Sequence, residues 1–495
     1  MSHLWQKPAN ELARLIQKRQ LSSLEVTQEL LDRIAVVNPK INALVVPCFE
    51  QALQQARNWD AAPKAGARLG GVPFSVKEII NVAGMPCTIG SMHRREVVAR
   101  QNATVVQRLL NAGGILLGLS NLPERSFWCE SYNHIYGRTS NPYDPDRTPG
   151  GSSGGEAALI GAGGSPLGLG SDIAGSIRIP AFFCGVFGHK PSAGLVPATG
   201  HYPFELPLKL PDPIRGAPLY MSIGPLAHSA SDLVLALELL AGPDGIDPTC
   251  THTLPPAAGD FDWRERTVFV MPRPKIKYCS AVQPEIARAV IQAAKVFKQL
   301  GARIEEFPDT LFTQAMEIWS AAISEGGESM AQMLGDGQTP IPLLQESLKL
   351  FSGRSQHTPP ALLFAWMDKV QGKNRQRLRA TLQEAARLRA TIERRLGDRH
   401  LLLLPPQPTV APRHDELLSR PLDFAYTAII NVLQLPATAV PMGLNAQGLP
   451  LGVQVVGGRL QDRLCLQAAL ELEQACGGWT RPLKFKAQTG PLPAI

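Results

Sequence analysis

Short apolar runs typical of buried strands alternate with helix-length segments along most of this 495-residue chain. GGVPFSV (70–76) and SPLGLGS (165–171) are strand patterns of this kind, and GGILLGL (113–119) directly follows a helical pattern at 103–112. Residues 137–155 are rich in Gly, Pro, Ser, Asn and Asp and are predicted to be loop. Strands that alternate with helices predict an α/β architecture.

Three local patterns place further elements. Ser22 and Glu25 form a capping-box pattern at the start of a helix. A strand, a helix and a second strand between 267 and 307 predict a β-α-β unit. The segments 436–442 and 449–458 predict a pair of strands, with a final helix after them. No clean linker and no repeat stands out, so one large domain is expected.

Charge is low overall and concentrated in one segment. Only 18% of residues are charged, and the formal net charge is +7. Residues 371–400 hold nine Lys or Arg against three acids. Nucleic-acid binding is one interpretation of such a segment. The favoured one is a helix with a solvated basic face, because one apolar stripe recurs along it, and no nucleic-acid partner is expected. The stripe consists of Leu378, Leu382, Ala385, Ile392 and Leu396.

The eight cysteines form no CxxC pair and no zinc-ligand pattern. Scattered cysteines in a long chain indicate buried free thiols in a reducing compartment. The N-terminal residues contain no apolar signal-peptide core, and no apolar run reaches about 18 residues. We therefore expect a cytoplasmic protein without a metal site.

The candidate catalytic residues lie in three segments. These are Lys77 at the end of a predicted strand, a Gly/Ser-rich run at 149–156, and a second such run at 170–178. Neither run has the lysine of a phosphate-binding P-loop, and Ile173 stands where a dinucleotide fingerprint needs its third glycine. Residues 150–154 match GxSxG, but that nucleophile motif needs a histidine and an acid, and no histidine lies in a recognisable motif.

A glycine-rich turn into a helix directs several backbone N–H groups to one point, which is the requirement of an oxyanion hole. The candidate donors are Ile173, Ala174, Gly175 and Ser176. Ser176 is then placed to attack a carbonyl, and its base can be Lys77 if burial lowers the lysine pKa. The alternative for Lys77 is a surface lysine paired with Glu78, and spacing alone favours that alternative.

The motifs as a set resemble the amidase signature family. The resemblance includes GGVPFSVKE (70–78), YGRTSNPYDP (136–145), the long run at 150–194 and GLPLGVQVVGG (448–458), and it covers most of the chain. Within the family, the run at 179–204 is most similar to the fatty-acid amide hydrolase type 2 branch and its bacterial relatives.

The resemblance implies a Ser–cisSer–Lys triad. Ser176 would be the nucleophile, Ser152 the bridging serine after a cis Gly151–Ser152 peptide bond, and Lys77 the general base. Ser153 would help to hold Lys77. No metal and no organic cofactor would be required.

The spacing within the motif also predicts an ion pair between Asp172 and Arg178. That pair would brace the nucleophile loop, and a simple structural salt bridge is an equal alternative. Many family members have Gly-Gly before the nucleophile, whereas this chain has Ala174-Gly175. Alanine is compatible with a backbone donor unless φ must be positive there.

The implied fold is one α/β domain over residues 1–495, with a mixed sheet of ten or eleven strands and helices on both faces. Its core would span 70–245, with a helical insertion at 330–400 that can act as a lid. The implied activity is hydrolysis of small-molecule amides with fatty, aryl or short acyl groups, and of esters or carbamates as well. The alternatives are the glutaminase subunit of an aspartyl/glutamyl-tRNA amidotransferase and an inactive scaffold.

Two regions are candidates for substrate contact. Phe127, Trp128 and Tyr132 precede the signature and would line an acyl site, with core packing as the equal alternative. Residues 342–369 predict two short amphipathic helices that can form a lid, contact a membrane surface peripherally, or contact a second copy in a homodimer. The favoured alternative is an ordinary covering pair of helices or a dimer contact. Their apolar residues are Leu343, Leu344, Leu348, Phe351, Leu363, Phe364 and Trp366.

Overall fold

The computed structural model describes residues 3–204, 216–256, 261–326, 329–336, 339–371 and 375–483. The strands within these ranges are β1 (Leu44–Pro47), β2 (Pro73–Lys77), β3 (Ile115–Ser120), β4 (Tyr132–Asn133), β5 (Gly137–Arg138), β6 (Leu167–Asp172), β7 (Phe187–Lys190), β8 (Ser222–Ala227), β9 (Thr267–Val270), β10 (Arg303–Glu306), β11 (Leu401–Leu404), β12 (Ala437–Leu444) and β13 (Pro450–Gly457).

The α-helices of the same ranges are α1 (Ala9–Gln17), α2 (Ser23–Ile41), α3 (Phe49–Ala61), α4 (Thr104–Asn111), α5 (Gly154–Gly161), α6 (Arg178–Phe183), α7 (Ala230–Leu240), α8 (Pro284–Gln299), α9 (Ala315–Ser324), α10 (Met330–Leu334), α11 (Leu343–Phe351), α12 (Pro359–Gln371), α13 (Arg375–Leu396), α14 (Ala425–Val432) and α15 (Asp462–Cys476). Helix and strand alternate along most of the chain, as the sequence predicts.

In the described part of the chain, eleven strands form one mixed sheet in the order β1-β3-β2-β6-β8-β7-β12-β13-β11-β9-β10. The pairs β2–β3, β2–β6, β9–β10 and β9–β11 are parallel, and the other pairs of the sheet are antiparallel. β4 and β5 form a separate hairpin. This sheet confirms the predicted α/β fold with ten or eleven strands.

Both faces of the sheet are apolar because helices cover both. In β11, Leu401 and Leu403 belong to one core cluster, whereas Leu402 and Leu404 belong to the other. Successive strand residues point to opposite faces, so this division places a core on each side. All four leucines are at most 1% exposed, as expected for strands buried on both faces.

The local predictions are confirmed where their signals were specific. Ser22 and Glu25 form the capping box of α2, and β9, α8 and β10 form the parallel β-α-β unit. The predicted loop at 137–155 is wrong at its ends, since β5 pairs with β4 and α5 begins at Gly154. Glycine suits this helix start because a Cβ on Gly155 would lie 2.4 Å from the Asn121 backbone nitrogen.

The basic segment forms α13, and its apolar stripe faces the protein. Ala385, Ile392 and Leu396 are buried in a core cluster, and Leu382 packs against them. This packing supports the interpretation of a helix with a solvated basic face. In the described ranges, the helices are too short or too polar to cross a bilayer.

The insertion has a small apolar core of its own. Leu334 of α10, Leu343 of α11 and Leu362 of α12 belong to this cluster, and Phe127 of the main body packs against it. The two predicted amphipathic helices are therefore present as α11 and α12. On the outer side of α11, Leu344 and Phe351 are exposed.

Candidate active site

Lys77 and Asp172 lie at the same edge of the sheet. They end β2 and β6, which are parallel neighbours, and parallel strands bring their carboxyl ends to one edge. The loop that carries the cis Gly151–Ser152 peptide bond lies beside them. The Ser153 N–H donates to the Ser176 carbonyl oxygen at 3.0 Å, which joins the two serine loops.

The Lys77 side chain is fully buried and contacts two hydroxyl groups. Its Nζ lies 2.6 Å from Ser152 Oγ and 3.2 Å from Ser171 Oγ. The expectation that Ser153 holds the lysine differs from this geometry, because the Ser153 hydroxyl donates to the Ser171 carbonyl oxygen instead, at 3.3 Å. Ser171 takes the place that the motif resemblance gives to Ser153. Its position immediately before Asp172 in the same motif is the signal that could have identified it.

Lys77 is buried, and among the described residues no counter-ion lies at hydrogen-bonding distance of its amine. This environment sets the protonation state of the lysine. Burial lowers the lysine pKa to about 7, although the nearby Asp172 and Glu156 charges act in the opposite direction. Glu156 is itself buried, which raises its pKa to about 7. Its carboxylate accepts hydrogen bonds from Ser75 and Ser120. A large fraction of Lys77 is therefore neutral near pH 7, as a general base requires.

Ser176 is the accessible member of the group. Its exposed fraction is 8%, against 1% for Ser152 and 0% for Lys77. Among the hydrogen bonds of the described residues, none joins the Ser176 and Ser152 hydroxyl groups. Catalytic hydrogen bonds are often long without substrate and tighten in the complex. Ser176 is therefore the most accessible of the three residues.

Asp172 and Arg178 form the expected ion pair, and both side chains are fully buried. The Arg178 Nη2 donates to Asp172 Oδ1 at 2.9 Å. Burial acts to raise the Asp172 pKa, but the Arg178 charge, with Lys190 and the Ile177 N–H, outweighs it and lowers the pKa to about 2. Arg178 also donates to Asn431 Oδ1 at 2.6 Å. The pair holds the loop between Asp172 and α6 to the protein core.

The backbone N–H groups of this loop divide into two sets. Gly175 N–H donates to Asp172 Oδ1 at 2.7 Å, so this donor differs from the expectation for an oxyanion hole. Within the described ranges, the N–H groups of Ile173, Ala174 and Ser176 donate to no protein acceptor. The φ of Gly175 is +115°, whereas that of Ala174 is not positive, so alanine is compatible with this backbone.

Two carbonyl groups of the loop are held by distant helices. Trp319 of α9 donates its indole N–H to the Ile173 carbonyl oxygen at 3.1 Å. Thr427 of α14 donates its hydroxyl to the Ala174 carbonyl oxygen at 2.7 Å. Sequence reasoning missed both residues, because each lies more than 140 positions from its partner and belongs to no motif.

The three predicted substrate contacts lie in different surroundings. Phe127 packs against the core of the insertion, and the Trp128 ring contacts Phe364 of α12 with centroids 5.7 Å apart. Tyr132 lies in the β4–β5 hairpin, where its ring contacts His134 and Arg138. Phe127 and Trp128 therefore lie against the insertion, and Tyr132 contacts neighbours in its own hairpin.

Comparison with known proteins places the chain in one family. The family model described as Amidase matches residues 25–466. The chain is 38% identical to fatty-acid amide hydrolase 2-A of Danio rerio over 96% of this chain and 90% of that protein. It is 32% identical to a glutamyl-tRNA(Gln) amidotransferase subunit of Caldanaerobacter subterraneus subsp. tengcongensis, over 95% of this chain and 97% of that protein.

Solved structures agree with the sequence comparisons. The structure of 6-aminohexanoate cyclic dimer hydrolase complexed with substrate matches with a TM-score of 0.79 and 25% identity. The match covers 98% of this chain and 100% of that one. The similarity extends over the whole sheet and its helices.

Proposed function

Because the chain belongs to the amidase signature family and is an amide-hydrolysing enzyme, we propose that it cleaves carboxylic amides through an acyl-enzyme on Ser176. Lys77 is the general base and Ser152 transfers the proton between the lysine and the nucleophile. The observation that carries this proposal is the contact of 2.6 Å between a fully buried lysine and Ser152.

The first half of the reaction forms a tetrahedral intermediate on Ser176. Neutral Lys77 takes the Ser152 proton while Ser152 takes the proton of Ser176, whose Oγ forms a bond to the carbonyl carbon. The carbonyl electron pair moves to oxygen, and the open N–H groups of Ile173, Ala174 and Ser176 stabilise the resulting oxyanion. Gly175 N–H remains with Asp172 and keeps the loop in place.

The second half releases the amine and the acid. The proton on Lys77 returns through Ser152 to the amide nitrogen, because an amine is a poor leaving group unless it is protonated. The C–N bond breaks, and the amine leaves the acyl group on Ser176. Water then attacks the ester by the same proton transfers, and the carboxylic acid leaves while Ser176 regains its proton.

Fatty, aryl or other apolar acyl groups are the substrates that the surroundings favour. Trp128 contacts Phe364, and Phe364 in turn contacts Phe424, with centroids 6.1 Å apart. Phe424 contacts Trp319, whose indole N–H donates to the Ile173 carbonyl oxygen in the segment 173–176, which we call the oxyanion loop. The aromatic series Trp128, Phe364 and Phe424 leads from the insertion towards the loop before Ser176 and offers apolar surface to an acyl chain. Esters with the same acyl groups, and carbamates, are included in the proposal.

The outer face of α11 supports peripheral contact with an apolar surface. Leu344, Leu348 and Phe351 are 65, 62 and 91% exposed, and exposed apolar side chains on an amphipathic helix insert into the boundary of a bilayer. Sedimentation with phosphatidylglycerol vesicles tests this part, with Phe351→Ser as the variant. Binding that Phe351→Ser weakens is expected, and wild-type protein that stays in the supernatant would contradict it. The cytoplasmic location and the homodimer stay predictions.

The amidotransferase glutaminase is the second candidate, because the chain shares 32% identity with a protein of that name. It would hydrolyse glutamine and pass ammonia to a partner protein. The inactive scaffold is disfavoured because Lys77, Ser152 and Ser176 are all present, and Lys77 contacts Ser152.

A substrate panel separates these candidates. Wild-type protein, Ser176→Ala and the control Ser352→Ala are assayed on a long-chain acyl amide, an anilide, a short aliphatic amide, an aryl carbamate and glutamine. Ser352 is an exposed serine whose hydroxyl donates to the Lys349 carbonyl. Turnover by the wild type and control, lost in Ser176→Ala, is expected. Turnover that survives in Ser176→Ala would overturn the nucleophile, and activity on glutamine alone would favour the amidotransferase.

A further inference from the structure

Trp319 connects the aromatic series to the oxyanion loop. It lies in α9, its ring contacts Phe424 of α14 edge to face with centroids 5.0 Å apart, and its indole N–H bonds to the Ile173 carbonyl oxygen at 3.1 Å. A buried or half-buried Trp usually finds one partner for its single N–H. Here that partner is the backbone of the loop before Ser176.

This hydrogen bond fixes the plane of one peptide group. In a trans peptide the C=O and the N–H are coplanar and point in opposite directions. The carbonyl of Ile173 and the N–H of Ala174 belong to the same peptide group. Because Trp319 holds the carbonyl on one side, the Ala174 N–H is directed to the other side, where the described residues offer it no acceptor.

The next peptide group shows the contrast. The Ala174 carbonyl accepts from Thr427, and the Gly175 N–H of the same group donates to Asp172. That group is therefore held at both ends by the protein. The Ile173–Ala174 group has a partner at its carbonyl end only among the described residues, so its orientation depends on Trp319.

We propose that Trp319 is a positioning residue for the oxyanion hole, acting through the Ile173 carbonyl to keep the Ala174 N–H aimed at the developing negative charge. This inference rests on the proposed function, since it needs Ser176 as nucleophile. Trp319 stabilises the transition state without touching the reacting atoms. Its loss lowers the rate of bond formation to Ser176 and leaves substrate binding and the Lys77 pKa unchanged.

The test uses the full chain and a probe that does not depend on the natural substrate. An octyl fluorophosphonate reacts when the Ser176 Oγ–P bond forms and the P–F bond breaks, with fluoride leaving and the serine proton passing to Lys77. Its phosphoryl oxygen occupies the oxyanion position. The rate constant of labelling at saturation and the half-saturating concentration are measured separately, each over a range of pH.

The variants separate the lost hydrogen bond from lost packing. Trp319→Phe removes the indole N–H, and benzothienylalanine at position 319 removes it while keeping the shape. Trp479→Phe is the matched control, because Trp479 donates its indole N–H to the Gly161 carbonyl oxygen at 3.2 Å. Ser176→Ala reports on the proposed function itself.

We expect both Trp319 replacements to label about tenfold more slowly, less than the loss of a whole oxyanion donor. The half-saturating concentration and the pH profile should stay as in the wild type, and Trp479→Phe should label at the wild-type rate. Wild-type labelling rates in both Trp319 replacements, with Ser176→Ala unlabelled, would overturn the inference alone. Labelling of Ser176→Ala would overturn the proposed function instead.

Discussion

Lys77 Nζ lies 2.6 Å from Ser152 Oγ, although the two residues are 75 positions apart in the chain. The lysine is completely buried, and no carboxylate lies within salt-bridge distance of it in the described part of the chain. An ammonium group in this position loses its hydration without gaining an ion pair. The contact therefore favours the neutral amine, which can take a proton from Ser152.

The pH dependence of activity is the first consequence. Burial lowers the Lys77 pKa to about 7, and the base is active when unprotonated. The value of kcat/KM for an anilide should therefore rise with pH, with a midpoint near the lysine pKa. Glu156 acts to raise that pKa, so Glu156→Gln should move the midpoint to lower pH. Glu473→Gln, which changes a half-buried carboxylate elsewhere, should leave the midpoint in place.

Stability should also depend on Lys77. Its pKa is about 7 in the folded chain and about 10.4 in an unfolded chain, a difference worth on the order of 4 kcal/mol against folding at pH 7. The cost is complete below the folded pKa and disappears as pH rises towards the unfolded value. Lys77→Met should thus be inactive but at least as stable as wild type at pH 7, with its advantage shrinking by pH 9. Urea unfolding at both pH values measures this, with exposed Lys64→Met as the control. An advantage that grows with pH would contradict it.

The Asp172–Arg178 pair should be essential to the fold of the loop. Asp172→Asn leaves the Arg178 charge buried without its partner, which costs about 3–5 kcal/mol. Asp172→Leu with Arg178→Met should recover part of this loss without restoring activity, because the Gly175 N–H still lacks its acceptor. Denaturant unfolding and fluorophosphonate labelling measure the two effects. Asp262→Asn, in an exposed pair with Arg264, is the control. Full activity of the double variant would contradict the role of Asp172.

Buried hydrogen bonds between Glu124 and residues 357–358 should hold the insertion to the main body. Glu124 accepts hydrogen bonds from the Thr358 N–H and hydroxyl at 2.7 and 3.0 Å, and its other oxygen lies 2.7 Å from His357 Nδ1. Glu124→Ala leaves these groups buried without partners. Hydrogen exchange should accelerate in α11 and α12 and stay unchanged in the central strands. Glu11→Gln, which breaks the half-buried Lys7–Glu11 pair, is the control, and unchanged exchange in Glu124→Ala would contradict this role of Glu124.

The sequence predicted the elements and the motif residues because their signals are local. Strand and helix periods predict β2, β6 and α8 directly, and the resemblance of the Gly/Ser motifs to the family indicates Ser152 and Ser176 without knowledge of the sheet. The parallel pairing of β2 and β6 then explains why Lys77 lies beside Ser171 near the end of β6.

Contacts between segments that are far apart in the sequence are not indicated by any local pattern. Trp319 and Thr427 bond to the loop through single hydrogen bonds that leave no spacing pattern. Lys77 contacts Ser171 rather than Ser153 because β2 and β6 are neighbouring parallel strands, and residue spacing alone does not indicate that pairing. The environment of Tyr132 follows from the pairing of β4 with β5. Each of these strands has two residues, which is too short to show a strand period in the sequence.

The most direct measurement traps the acyl group. Wild-type protein is mixed with an excess of an acyl p-nitroanilide, quenched in acid within the first turnovers, digested, and analysed by peptide mass spectrometry. The acyl mass should appear on the peptide that contains Ser176 and should be absent in Ser176→Ala. An acyl group on another residue, or turnover of the anilide with no acylated peptide, would contradict the proposed acyl-enzyme on Ser176.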